Sequence, residues 1–310
     1  MSSVIEVEKL TKRYANSKTN AVDSISFSVA GGEFFTLLGP NGAGKTTTIS
    51  ILTTTLTPTT GSARIAGYDL VKEAGAVRRN AGIIFQKPSL DLNLTAEENV
   101  RFHAVVYGLY PFRPTFSLMP KAYKQQITEL TEILGLKEDI FKPIKTFSGG
   151  MKRKLEIIRS LIHQPKVLFL DEPTVGLDPA SRRNLWEYIK RVRRESGTTV
   201  FLTTHYLDEA EDADTICIIS KGTIVAYGPP ETVKARLLEK YLLIDAPDRS
   251  RLRTELTQLD IPFSETPLFK INLNGSPTVH QLLKAIDTPL TTIKTHNPSL
   301  EDAYLAIVEE

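Results

Sequence analysis

Three short apolar runs stand out along the first two thirds of the chain, and each ends in residues of a different chemistry. Glu33-Phe34-Phe35-Thr36-Leu37-Leu38 stops at a glycine-rich stretch, and Lys166-Val167-Leu168-Phe169-Leu170 stops at two carboxylates. Thr199-Val200-Phe201-Leu202-Thr203-Thr204 stops at a histidine. Unbroken apolar or β-branched runs of this length predict strands buried in a core. Before them, residues 4–38 alternate as an antiparallel strand set with a turn near 15–20. Between them the period turns helical. A helix from the glycine-rich stretch to about Thr53, a strand at Ser62–Ile65, a helix at Val71–Arg79 and a strand at Ala81–Gln86 follow in order. Thr95-Ala96-Glu97-Glu98 is a capping box opening a helix through about Tyr107, and Lys121–Leu134 predicts a second. Leu155, Ile158, Leu161 and Ile162 mark the apolar face of another helix, for which Ser148 has N-cap chemistry. The alternation predicts an α/β fold.

The glycine-rich stretch carries the sharpest chemistry. Gly39-Pro40-Asn41-Gly42-Ala43-Gly44-Lys45-Thr46 is a complete phosphate-binding loop placed after a strand. Its glycines let consecutive backbone N–H groups converge on a β-phosphate, Lys45 sets a cation between the β- and γ-phosphates, and Thr46, followed by Thr47, offers a hydroxyl to Mg²⁺. The helix that starts there adds its positive dipole end. Asp171 has the place to hold Mg²⁺ through water, and Glu172 faces the γ-phosphate as a general base. Ser148-Gly149-Gly150 taken alone reads as an ordinary loop before a helix. Its position changes that: Asp171 follows Ser148 by only 23 residues, room for one helix and a turn, and Gly176-Leu177-Asp178-Pro179 and His205 come next.

In this set and order the chain resembles the nucleotide-binding subunit of an ATP-binding cassette (ABC) transporter, over roughly residues 1–235. The resemblance implies a mixed-sheet core, an antiparallel β subdomain and a helical subdomain at about 88–162. It also implies roles. Tyr14 stacks on adenine, and Gln86 touches Mg²⁺ and the attacking water and reports to the membrane partner. Ser148-Gly149-Gly150 form the signature, Asp178 the D-loop, and His205 the switch on the γ-phosphate. Met151 departs from the glutamine that commonly ends the signature, which reads as a mark of a subfamily. With one phosphate loop and one signature, the resemblance implies a head-to-tail pair of cassettes with two ATP at the seam. Each γ-phosphate would be held by Lys45, Gln86 and His205 of one copy and Ser148 and Gly150 of the other.

Composition narrows the alternatives. A net charge of +2 is too balanced for a nucleic-acid footprint, so no nucleic-acid partner is expected. No run approaches the ~20 apolar residues of a membrane-spanning helix, and Met1–Glu6 lacks a signal-peptide core. The expectation is a cytoplasmic protein, peripheral on the inner face of the membrane through an integral membrane permease subunit. The single Cys217 reads as a buried strand residue. The basic run from Arg182 to Arg194 reads as a solvated helix face. Lys152-Arg153-Lys154 sits in a first helical turn, where cations oppose the dipole, and leaves two readings: pointing to solvent, or attracting nucleotide across the seam. The segment 110–120, with three prolines and three aromatics, reads as a loop with sticky edges or a harmless insertion.

After Gly228-Pro229-Pro230 a second pattern begins, giving a small α+β domain at 236–310. Strands are expected at Leu242–Asp245, Phe269–Leu273 and Thr291–Lys294, and helices at Arg249–Leu259, Thr278–Ile286 and Leu300–Val308. Similar appendages occur on cassettes of multidrug, antibiotic and lipid or polysaccharide exporters, including the daunorubicin-resistance type, so the resemblance favours export over import. It reads either as a tuner of dimerisation or as a passive cap. Rival classes fit less well. A soluble ABC ATPase of translation or DNA repair would bring a second cassette or long heptads, and a kinase or GTPase lacks Ser-Gly-Gly with a switch histidine.

Overall fold

The computed structural model describes the chain except for residues 1, 16, 86–88, 176, 238–240, 274–277, 297–303 and 305–310. It divides into two compact units, Met1–Tyr227 and Gly228–Glu310. The first opens with β1 (Ser3–Lys12) and β2 (Val22–Ala30), then β3 (Phe34–Leu38), α1 (Lys45–Leu52), β4 (Thr60–Ile65), β5 (Tyr68–Asp69), α2 (Ala74–Asn80) and β6 (Ala81–Ile84). Helices α3 (Ala96–Val106), α4 (Lys121–Leu134) and α5 (Gly149–Leu161) follow. It continues through β7 (Val167–Asp171), α6 (Pro179–Ser196), β8 (Thr199–Thr204), α7 (Leu207–Glu211), β9 (Thr215–Ser220) and β10 (Thr223–Gly228).

Two sheets share one core. The larger has the order β10-β9-β3-β8-β7-β6, and β9, β3, β8, β7 and β6 run parallel to one another, so their C-terminal ends share one edge. The smaller, β2-β1-β4-β5, is antiparallel. A column of rings joins them: Phe27 of β2 lies 5.2 Å from Phe35 of β3, Phe35 lies 5.0 Å from Phe201 of β8, and Phe201 lies 5.4 Å from Phe169 of β7. The register pairs Phe35 and Phe169 each with Phe201, so the column also fixes strand alignment. Cys217 pairs with Leu37 and is buried, which pushes its thiol up to about 12.

Several expectations change in detail. The antiparallel set ends at Ala30, because Gly32 turns at φ 76° and its N–H donates to Thr199 Oγ1 at 2.8 Å, sending β3 into the parallel sheet. Helix α2 starts at Ala74 rather than Val71, since Asp69 Oδ1 accepts the Val71 and Lys72 N–H groups and holds them in a turn. The capping box stands as expected, with the Glu98 N–H donating to Thr95 Oγ1 at 3.2 Å and the Thr95 N–H to Glu98 Oε2 at 2.8 Å. In the 110–120 segment Phe112 is exposed and stacks on Phe102 at 6.1 Å. The basic helix α6 keeps its exposed face, with Lys190 and Arg193 paired to Asp212 and Asp214.

The second unit holds α8 (Pro230–Leu237), β11 (Tyr241–Asp245), α9 (Arg249–Gln258), β12 (Phe263–Ser264), β13 (Phe269–Asn272), α10 (Val279–Ala285) and β14 (Thr292–His296). Its antiparallel sheet, β12-β13-β11-β14, buries Leu242, Ile244, Phe269 and Ile271 with Leu252, Leu256 and Leu282 of the helices. The two-residue edge strand β12 was not expected. The helix expected at Leu300–Val308 lies outside the described residues.

A ring stack not foreseen from the sequence packs α3 toward β6. His103 lies 4.2 Å from Tyr107, and Tyr107 lies 4.4 Å from His163, whose Nε2 meets the Ala81 carbonyl at 3.0 Å. Burial, with the Arg159 and His163 charges adding, lowers His103 to about 3 from 6.5. A group depressed in the fold stays neutral while its unfolded counterpart takes a proton. Stability is therefore whole above about pH 6.5 and falls as pH drops toward 3, at up to about 1.4 kcal/mol per pH unit. The variant His103→Phe is expected to flatten the acid side of this profile, measured by urea unfolding between pH 7.5 and 4.5. An unchanged slope would remove His103 from the account.

Candidate active site

The phosphate loop leaves the C-terminal end of β3 under tight constraint. A Cβ on Gly39 would lie 2.2 Å from the Ile219 carbonyl oxygen, so only glycine fits beside β9. Gly44 holds φ 112°, reachable by few other residues, and as N-cap of α1 it brings no capping side chain. The first N–H groups of α1 are thus left to an anion. Lys45 is folded inward, 5% exposed, with Nζ donating to the carbonyls of Gly39 (2.6 Å) and Pro40 (3.1 Å). Burial lowers its pKa, while the charges of Glu172 and Asp171 pull it back up. A cavity of about 140 Å³ is lined by Asn41, Gly42, Gly44, Lys45, Thr46, Thr47 and Glu172, with Ala21 at its side. Tyr14 stands next to it, exposed, its hydroxyl 3.2 Å from Thr47 Oγ1.

Strand β7 carries the carboxylates to the same edge. Asp171 is buried, which raises its pKa, and it accepts the Thr203 hydroxyl at 2.5 Å, which with Lys45 and Arg153 opposes the rise. Glu172 adopts φ 47°, an unusual value for a side-chain-bearing residue, and its N–H donates to the Thr203 carbonyl at 2.9 Å. This turn brings its Oε1 to 3.2 Å from His205 Nδ1 at the end of β8. Glu209 is a buried hub that the sequence reading passed over: it accepts hydroxyls from Thr174 (2.5 Å) and Thr204 (2.7 Å), bracing the loops after β7 and β8. An acid in a first helical turn ordinarily meets the dipole at the surface, so its pattern gave no signal. The exposed Thr46 hydroxyl and the Asp171 carboxylate are hard oxygen donors of the kind Mg²⁺ takes. Gln86, the third expected contact, lies outside the described residues.

The residues expected as signature and D-loop stand elsewhere. Ser148 caps α5, its Oγ accepting the Met151 N–H at 3.2 Å, with Ser148 and Gly149 exposed. A Cβ on Gly150 would meet Ser181 Oγ at 3.3 Å, so this glycine packs against α6. Asp178 caps α6, accepting the Ala180 and Ser181 N–H groups and, at 2.6 Å, the Ser181 hydroxyl, which leads the causes lowering its pKa. Among the described residues, none of these four lines the phosphate-loop cavity. Arg153 follows neither of its two expected readings: it is buried, with its guanidinium turned toward the base of the site.

The family model for the ABC transporter matches residues 22–175. The chain is 40% identical over 253 residues to the daunorubicin/doxorubicin resistance ATP-binding protein DrrA of Streptomyces peucetius, covering 81% of this chain and 73% of that one. The chain belongs to the ABC transporter family. It is also 41% identical over 234 residues to the probable multidrug ABC transporter ATP-binding protein YbhF of Escherichia coli, covering 76% of this chain but 38% of YbhF. A solved ATP-binding subunit of an ABC transporter superposes with a TM-score of 0.66 at 30% identity, over 76% of this chain and 93% of that one. The α/β cassette fold and the expected family are thereby borne out.

Tyr14 offers a ring beside the loop, and its hydroxyl contact with Thr47 is exposed and weak. Tyr14→Ala is expected to raise the KM for ATP several-fold, within the ~1–3 kcal/mol of a base stack, while Tyr14→Phe and Tyr14→Trp stay near wild type. Steady-state kinetics of the three variants decide it; equal damage from all would make the hydroxyl the contact.

Proposed function

We propose that this ABC-family chain binds and hydrolyses ATP and powers export, of the drug, antibiotic, lipid or polysaccharide class, through a separate integral membrane permease. The observation that carries the reading is the meeting of Lys45, Asp171, Glu172 and His205 at one edge of a parallel sheet, beside a loop with bare N–H groups. Glu172, oriented by His205, takes the proton of the attacking water. Lys45 and the N–H groups of α1 hold the developing phosphate charge, work that is electrostatic rather than covalent. Mg²⁺ bound at Thr46, Asp171 and Gln86 would supply further charge neutralisation. Export rests on the relatives' names, and the peripheral, inner-face location rests on the permease; among the described residues no helix is long and apolar enough to cross a membrane.

The exposed Ser148 and Gly149, apart from the cavity, support a two-fold pair of cassettes in which each signature closes the partner's ATP. Glu172→Gln is expected to keep ATP binding and slow hydrolysis by about 10²-fold or more, and Lys45→Ala to lose binding. Retained turnover in Glu172→Gln would exclude it as the base. Mixing Lys45→Ala with Ser148→Arg places both lesions at one seam of the mixed dimer and none at the other. Part of the activity is then expected to return although each variant alone is inactive; no recovery in demonstrated mixed dimers would exclude the head-to-tail arrangement.

A further inference from the structure

The cation opposing the dipole in the first turn of α5 has a structural destination. Arg153 Nε donates to the Pro173 carbonyl at 2.7 Å, Nη1 to the Phe85 carbonyl at 2.5 Å, and Nη2 reaches the Glu172 carbonyl at 3.5 Å. Glu156, one turn on and 1% exposed, holds Arg153 Nη1 at 3.1 Å. The other carboxylate oxygen of Glu156 accepts the Ser89 N–H at 2.9 Å, and Arg159 adds contacts to the Ser89 carbonyl and hydroxyl. One buried ion pair on α5 therefore grips the two successive carbonyls of Glu172 and Pro173 and the backbone at Phe85 and Ser89. Helix α5 is the helix capped by Ser148.

We infer that Arg153, locked by Glu156, is a positioning residue for Glu172, fixing the peptide after it and tying it to the signature helix. The φ of 47° at Glu172 needs an external hold, and the guanidinium fork supplies donors to the two carbonyls that follow from that turn. Lysine, with one ammonium, keeps the charge beside Glu156 but does not span these carbonyls. Any movement at Phe85 or Ser89 then reaches Glu172 and Ser148 together through one rigid element. The inference rests on Glu172 acting as the base, and its test separates the two.

In the full chain, Arg153→Lys is expected to lower kcat for ATP hydrolysis about tenfold or more, the scale of a misplaced catalytic group, with KM within about twofold of wild type. Because Arg153 acts through the Glu172 carboxylate, the same substitution in a Glu172→Gln background is expected to change single-turnover hydrolysis less than about twofold. An unchanged kcat, or an equal fall in both backgrounds, overturns the inference. If Glu172→Gln alone hydrolyses like wild type, the base assignment fails instead. Should Arg153→Lys unfold, Arg153→Met/Glu156→Met removes both charges without stranding one and reads the same comparison.

Discussion

Lys45 carries a positive charge into a place where it is 5% exposed, and the parallel sheet makes that tolerable. Burial lowers its pKa; Glu172 and Asp171 oppose this, and the carbonyls of Gly39 and Pro40 take up its N–H groups. Those carboxylates reach it because β3 and β7 flank β8 and all three run the same way, which delivers loop, acids and His205 to one edge. Ligands in open α/β sheets bind outside the carboxyl ends of the strands for the same reason. Reversing any one of these strands would scatter the four groups.

The aromatic column from Phe27 to Phe169 sets the spacing on which that edge depends. Its rings cross three adjacent strands of the core sheet and reach the antiparallel sheet, so a slip of one strand would break several ring contacts together. Above it, Glu209 braces the loops after β7 and β8 from within. The site is a rigid core edge finished by short, mutually tied loops.

Where a local signal has one physical meaning, the sequence and structure agree closely. Thr95 with Glu98 and the run Lys121–Leu134 mark helices within a residue of their observed bounds, because caps and apolar period are decided by neighbours along the chain. The phosphate loop was legible because glycine, lysine and threonine occupy fixed offsets after a strand. The first turn of α5 was not: that Arg153 goes inward depends on carbonyls from Phe85 and Pro173, distant in sequence. The same holds for the His103, Tyr107 and His163 stack, whose members come from α3, its C-cap and the turn after α5, and for the two-residue β12, too short to show a period.

Cys217 has a use that its place in β9 makes available. It is the chain's one cysteine, it lies in the sheet interior opposite Leu37, and burial keeps its sulfur protonated at neutral pH. Thiol reagents attack the thiolate at accessible positions. The native sulfur is therefore silent to maleimides in the folded chain, and cysteines introduced at exposed sites become addressable one at a time. Spectroscopic labels could follow the cassette's movements without first disturbing the strand that flanks its phosphate loop.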